Sequence, residues 1–156
     1  MHSPLSTFGK AISVLALSAL LVTGAGLMGT AQEKTGKSLY DRIGGYNALA
    51  AVVDDFIGRL VADSRFAKFF AGHSDDSKKR IRQHIVDQFC AATGGPCIYT
   101  GREMRTSHQG LAITEADWDA AAKLLVASLD KFKVPAKEKD EVMTFVSGLK
   151  KDIVEK

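Results

Sequence analysis

Met104-Arg105-Thr106-Ser107-His108-Gln109-Gly110 puts one histidine on a short helical turn. The turn follows a corner written Thr93-Gly94-Gly95-Pro96-Cys97-Ile98-Tyr99-Thr100-Gly101, whose glycines and proline let the chain change direction sharply. Met104 lies four residues before His108, so an apolar neighbour sits one turn back. A neutral imidazole on a rigid turn is what a haem iron takes as its proximal ligand. Alone, this pattern describes a structural histidine more often than a ligand, so the reading depends on the rest of the chain.

Working outward, the flanking segments read as helices. Val52, Val53, Phe56, Ile57 and Leu60 recur at three- and four-residue spacing, which predicts an amphipathic helix from about Tyr46 to Val61. Gly44-Gly45 separates it from a short helix over Ser38 to Ile43. Phe66, Phe69 and Phe70 cluster on another short turn. A helix over Lys78 to Ala92 carries Ile81, Ile85, Gln88 and Phe89 on one stripe, and Gly94-Gly95-Pro96 ends it. Thr114 is an N-cap candidate with Asp117 as a weak capping-box partner, opening a helix to about Lys131. Pro135 opens the last helix, with Val142, Phe145, Val146, Leu149 and Ile153 on its apolar stripe. Nothing alternates with a period of two over a useful length. The chain reads as all-α.

Composition bounds the function. With 156 residues and 46 % hydrophobic content the chain can bury one core. A net charge of +3 without a basic run gives nucleic-acid binding no electrostatic support. Lys10 precedes a long apolar run that continues to Met28 and closes on Gly29-Thr30-Ala31. That pattern predicts a signal peptide over residues 1–31, cleaved after Ala31, with an uncleaved membrane anchor as the alternative. Residues 32–37 read as a linker and 38–156 as the folded domain. The expected location is exported, periplasmic or extracytoplasmic; if the segment stays, the protein is anchored at its N-terminus. In an oxidising compartment Cys90 and Cys97 have two readings, a disulfide or two small buried residues. No Cys-x-x-Cys-His occurs, which argues against covalent c-type haem attachment.

Five motifs, taken in order, resemble the group I truncated haemoglobins, short globins whose helices pack two over two around a haem. They are Ser38-Leu39-Tyr40-Asp41-Arg42-Ile43-Gly44-Gly45, Val52-Val53-Asp54-Asp55-Phe56, Phe69-Phe70, Gly94-Gly95-Pro96 with Tyr99-Thr100-Gly101, and Met104-Arg105 with His108. The resemblance covers Ser38 to Val154. It implies non-covalent haem b with His108 as proximal iron ligand. It also implies Phe70 at the haem edge, Ile81, Ile85 and Phe89 facing the distal pocket, and Tyr99, Thr100, Met104 and Trp118 near the haem. Arg105 is a candidate propionate partner, with a solvated surface arginine as the equal alternative. His84 matches a position that in some relatives supplies a second, distal iron ligand and in others serves the propionate edge; helix geometry leaves both open. His73 reads as a surface residue in a polar loop, Gly72-His73-Ser74-Asp75-Asp76.

The chain departs from that family on the distal side. Many relatives carry a tyrosine after the phenylalanine matching Phe56, and glutamine on the facing helix. Here Ile57, Ile81 and Ile85 stand instead, and none can donate a hydrogen bond. A ligand that gathers negative charge would lose roughly 1–3 kcal/mol of hydrogen bonding, about 5- to 150-fold in affinity. Gln88 is a less direct donor. The resemblance implies binding of oxygen, nitric oxide and carbon monoxide, in oxygen transport or storage or in oxidation of nitric oxide to nitrate. The last would need a separate reductase, since no flavin or nicotinamide motif is present. The alternatives are a bis-histidyl electron-transfer or redox- and gas-sensing protein and a haem-free helical module. A thiol enzyme is disfavoured by the spacing of Cys90 and Cys97.

Overall fold

A computed structural model describes residues 36–156, so the segment 1–31 and most of the linker lie outside the described residues. Seven helices follow in order: α1 Leu39–Ile43, α2 Gly45–Ala62, α3 Ser64–Phe70, α4 Asp75–Ala92, α5 Met104–His108, α6 Glu115–Lys131 and α7 Ala136–Ile153. Among the described residues there is no strand, and no helix is long and apolar enough to cross a membrane.

Local chemistry accounts for where the helices begin. Ser38 Oγ accepts from the Asp41 backbone N–H at 3.1 Å while the Asp41 carboxylate accepts from the Ser38 N–H, a complete capping box. Thr114 and Asp117 build the same device at α6, a stronger cap than the sequence suggested. α4 begins at Asp75, three residues before the expected Lys78. Ser74 Oγ accepts from Ser77 N–H at 3.3 Å, and Asp75 and Asp76 occupy the first turn, where the helix dipole favours negative charge. The polar residues that read as loop are a helix start.

The layers are two pairs. α2 packs on α4, α6 packs on α7, and α2 also lies against α6, giving the two-over-two arrangement. α1 touches both α2 and α7. The core is the meeting of the apolar stripes: Leu49, Val52 and Val53 of α2, Val86 and Phe89 of α4, Leu125 and Leu129 of α6, and Val142 of α7. Each fully buried aliphatic side chain contributes roughly 1.5–3 kcal/mol.

Two polar clusters fix the layers against sliding. The Asp55 carboxylate accepts from Arg59 Nε at 2.6 Å and from the buried Ser128 hydroxyl at 2.8 Å, and it pairs with Lys131, tying α2 to α6. Arg42 of α1 reaches both Glu138 and Glu141 of α7.

Cys90 and Cys97 form a disulfide, with Cα atoms 5.7 Å apart. It joins the last turns of α4 to the corner that leads to α5. Gly95 is required there. A Cβ at this position would lie 2.6 Å from the Tyr40 ring, 2.7 Å from Cys90 Sγ and 2.9 Å from the Cys90 carbonyl oxygen.

Candidate functional site

α5 has only five residues, yet it carries the histidine on which the sequence reading turns. His108 is half-buried, and its Nδ1 lies 2.8 Å from the Met104 carbonyl oxygen. A carbonyl can only accept, so Nδ1 carries a proton, and in the neutral ring Nε2 keeps its lone pair. This is the arrangement that orients a metal-binding imidazole and raises its basicity. Met104 therefore matters through its backbone, whereas the sequence reading looked to its side chain.

α4 carries His84, also half-buried. Its Nδ1 is buried and has no hydrogen-bond partner. An unpaired polar nitrogen inside a protein is uncommon, because its desolvation is left uncompensated. The His84 ring stands edge-on to Tyr99 of the corner, with centroids 6.2 Å apart. The Tyr99 hydroxyl donates to the Arg102 carbonyl at 2.5 Å, and burial raises the phenol above its ordinary pKa. That ring folds so closely over Gly101 that a Cβ there would lie 2.4 Å from the hydroxyl oxygen.

A concavity of about 270 Å³ opens between the end of α4, the corner, α5 and α7, walled by Gln88, Tyr99, Glu103, Met104, Arg105, Leu149 and Asp152. It brings together Tyr99, Met104 and Arg105 of the expected site residues. Phe70, Ile81, Thr100 and Trp118 are not among its walls, nor is His108, at the far end of α5. Thr100 is exposed on the corner, while Phe70 at the end of α3, Ile81 on α4 and Trp118 on the first turn of α6 are half-buried. Phe89 is buried in the core, edge-on to Phe145 at 5.6 Å, and Ile85 and Ile57 pack against that same core. Ile57 also walls an open groove between α2 and α4 with Asp54, Lys78, Lys79, Arg82 and Gln83. Arg105 is already engaged, its guanidinium donating to Asp152 of α7 at 2.7 Å. His73 is exposed. Asp152 was not foreseen, because no local periodicity marks a residue whose partner lies on another helix, and Glu103 is simply the N-cap residue of α5.

Residues 38–155 match the family model for bacterial-like globins. A Group 1 truncated hemoglobin, GlbN, of Mycolicibacterium paratuberculosis is 37 % identical over 116 residues, covering 74 % of this chain and 83 % of that protein. This chain belongs to the group I truncated haemoglobins. Among solved structures, this truncated haemoglobin resembles that of Tetrahymena pyriformis in its Fe(III) form, with a TM-score of 0.69 and 28 % identity, covering 77 % of this chain and 100 % of that one. It is also similar to the 2/2 hemoglobin of a Synechococcus species in the cyanomet state with covalently attached heme. That match has a TM-score of 0.69 and 32 % identity, with the same coverage of each chain. Membership supports globin-type haem and gas binding.

The residues of this truncated haemoglobin fit a haem. His108 offers a free Nε2 on a ring fixed by its other nitrogen. His84 on α4 carries a second imidazole, half-buried, whose Nδ1 pairs with no protein group.

Proposed function

We propose that this chain binds haem b non-covalently through His108 Nε2 and takes up diatomic gases on the α4 side. The observation that carries the reading is the hydrogen bond from His108 Nδ1 to the Met104 carbonyl. Both cysteines of the chain are joined to each other, so no thiol is left to bond a haem vinyl group. When bound, haem iron supplies reversible gas binding and one-electron chemistry.

The chain's own residues set the terms. His108 donates its nitrogen lone pair, and the Met104 carbonyl keeps the ring from rotating. Ile57, Ile81 and Ile85 cannot donate a hydrogen bond and leave only Gln88 as a less direct donor, so a ligand that gathers negative charge is held weakly and leaves fast. Carbon monoxide, which gathers less charge, is affected less. Oxidation of nitric oxide to nitrate consumes dioxygen and one electron per turnover, and the electron has to come from a separate reductase. The disulfide favours an oxidising compartment, in keeping with export or tethering by residues 1–31.

A second reading is favoured by one observation. The buried His84 Nδ1 has no partner in the protein, so this imidazole is not committed to another group of the fold through that nitrogen, although it lacks the second bond that orients His108. His84 as a sixth ligand would make the resting protein bis-histidyl, suited to electron transfer or gas sensing. Optical spectra of the purified ferric and ferrous protein decide between the two. A six-coordinate low-spin spectrum that becomes five-coordinate in His84→Ala supports the second reading. A five-coordinate ferrous spectrum untouched by that substitution removes it. A His108→Gly protein that keeps its pigment and an unchanged Soret band overturns both.

A further inference from the structure

α5 does little to hold itself in place. It has five residues, no side-chain cap at Glu103 and no buried residue. An isolated helix that short is not stable in water. Something else must fix the direction in which His108 presents its nitrogen.

The segment that follows α7 does so. Glu155 lies just beyond α7, and its two carboxylate oxygens accept from separate backbone groups: Oε1 from Gly110 N–H and Oε2 from Ala112 N–H, each at 2.6 Å. These amides are two and four residues past His108. The loop between them has Gly110 at φ 84° and Ala112 at φ 54°, a left-handed conformation that an alanine adopts at some cost. Charge-assisted bonds to two neighbouring amides offset that cost. Backbone pairing completes the clamp: Glu155 N–H donates to the Ile113 carbonyl at 2.9 Å, and the Lys156 carbonyl accepts from Glu115 N–H at 3.1 Å. At the other end of α5, Arg105 is tied to Asp152 of α7 at 2.7 Å. The Leu111 N–H in turn donates to the His108 carbonyl at 3.1 Å, so the clamped loop bonds directly to the histidine's own backbone.

We infer that Glu155 is a positioning residue for His108: its carboxylate fixes the loop after α5 and thereby the direction of the proximal imidazole. This rests on the reading of His108 as the iron ligand. A carboxylate is required, because a glutamine has one acceptor oxygen and would turn an N–H toward one of the two amides.

The test uses the full chain, loaded with haem, as wild type, Glu155→Ala, Glu155→Gln and Ser128→Ala. Ser128 bonds to Asp55 of α2 and Leu124 of α6 and serves as a control for general destabilisation. The primary readout is the iron–histidine stretching band in resonance Raman, recorded immediately after photolysis of the carbon monoxide complex, when only the proximal ligand is bound. The second is the rate of haem transfer to an excess of apomyoglobin. In Glu155→Ala the band shifts or broadens and haem leaves about tenfold faster. Glu155→Gln falls between this and wild type, and Ser128→Ala keeps the wild-type band. A wild-type band and transfer rate in Glu155→Ala overturn the inference while leaving haem binding by His108 intact. If Glu155→Ala does not fold, an unchanged band in Glu155→Gln has the same force. A wild-type chain that takes up no haem overturns the functional reading itself, and the role assigned to Glu155 with it.

Discussion

His108 uses its two ring nitrogens for different tasks, and substitutions separate them. His108→Gly removes the proposed iron ligand while leaving the Met104 carbonyl and the loop in place. The expected outcome is loss of the Soret band after purification, with free imidazole restoring much of it by filling the vacated space. Ile57→Tyr adds a phenol beside the facing helix. Oxygen release should slow by about 5- to 150-fold, with carbon monoxide release much less changed, as measured by stopped-flow displacement. The candidate ligand was legible in the sequence because histidine on a helical turn after a glycine-rich corner is a local pattern. Its hydrogen bond to Met104 was not, since every residue has a carbonyl and none advertises its use. The paired Arg105 and the core position of Phe89 were hidden for a related reason: their partners, Asp152 and Phe145, lie on α7.

The helices were legible where capping and periodicity agree. Thr114 with Asp117, and Pro135 before α7, marked true starts. The start of α4 was misplaced because Asp75 and Asp76 read as polar loop, although a negative first turn suits a helix. Spacing alone left Cys90 and Cys97 open, since a disulfide needs a Cα separation that only the folded corner supplies. The bond closes a short loop between α4 and the corner bearing Tyr99. Its loss should lower stability by about 2 kcal/mol. A urea titration of wild type against Cys97→Ser, and of wild type with and without dithiothreitol, measures this. Midpoints that coincide would show that the corner is held by packing alone.

Across the molecule, the two layers are locked by charges that respond to acid. Hydrogen bonds from Lys131 first, then Arg59 and Ser128, hold the Asp55 carboxyl well below the usual carboxylate range. The guanidinium of Arg82 lowers Asp54, and that of Arg42 lowers Glu141. Because these folded-state values are depressed, their stabilisation is complete above the unfolded carboxylate pKa of about 4 and disappears as pH falls below it. Stability should therefore be level from neutral pH to about pH 5 and then decline steeply. Asp55→Asn should lose about 1–3 kcal/mol at pH 7 and show a shallower acid limb, read from urea midpoints across pH. An equally steep limb in the variant would assign the acid response to other carboxylates. The stripes of α2, α4 and α7 made the all-α character readable from the chain, and the two-over-two packing followed from the family resemblance. The ties between Asp55 and Lys131, 76 positions apart, and between Glu155 and Gly110, 45 apart, have no local signature and appear only in the folded protein.

The backbone pairing of Glu155 and Lys156 with Ile113 and Glu115 has a practical corollary for anyone producing the protein. Polypeptide that continues past Lys156, whether native or an added affinity tag, would emerge next to the loop that trails His108. Such an extension competes with the clamp for space and charge, so pigment yield and optical spectra are best compared between versions tagged at opposite ends.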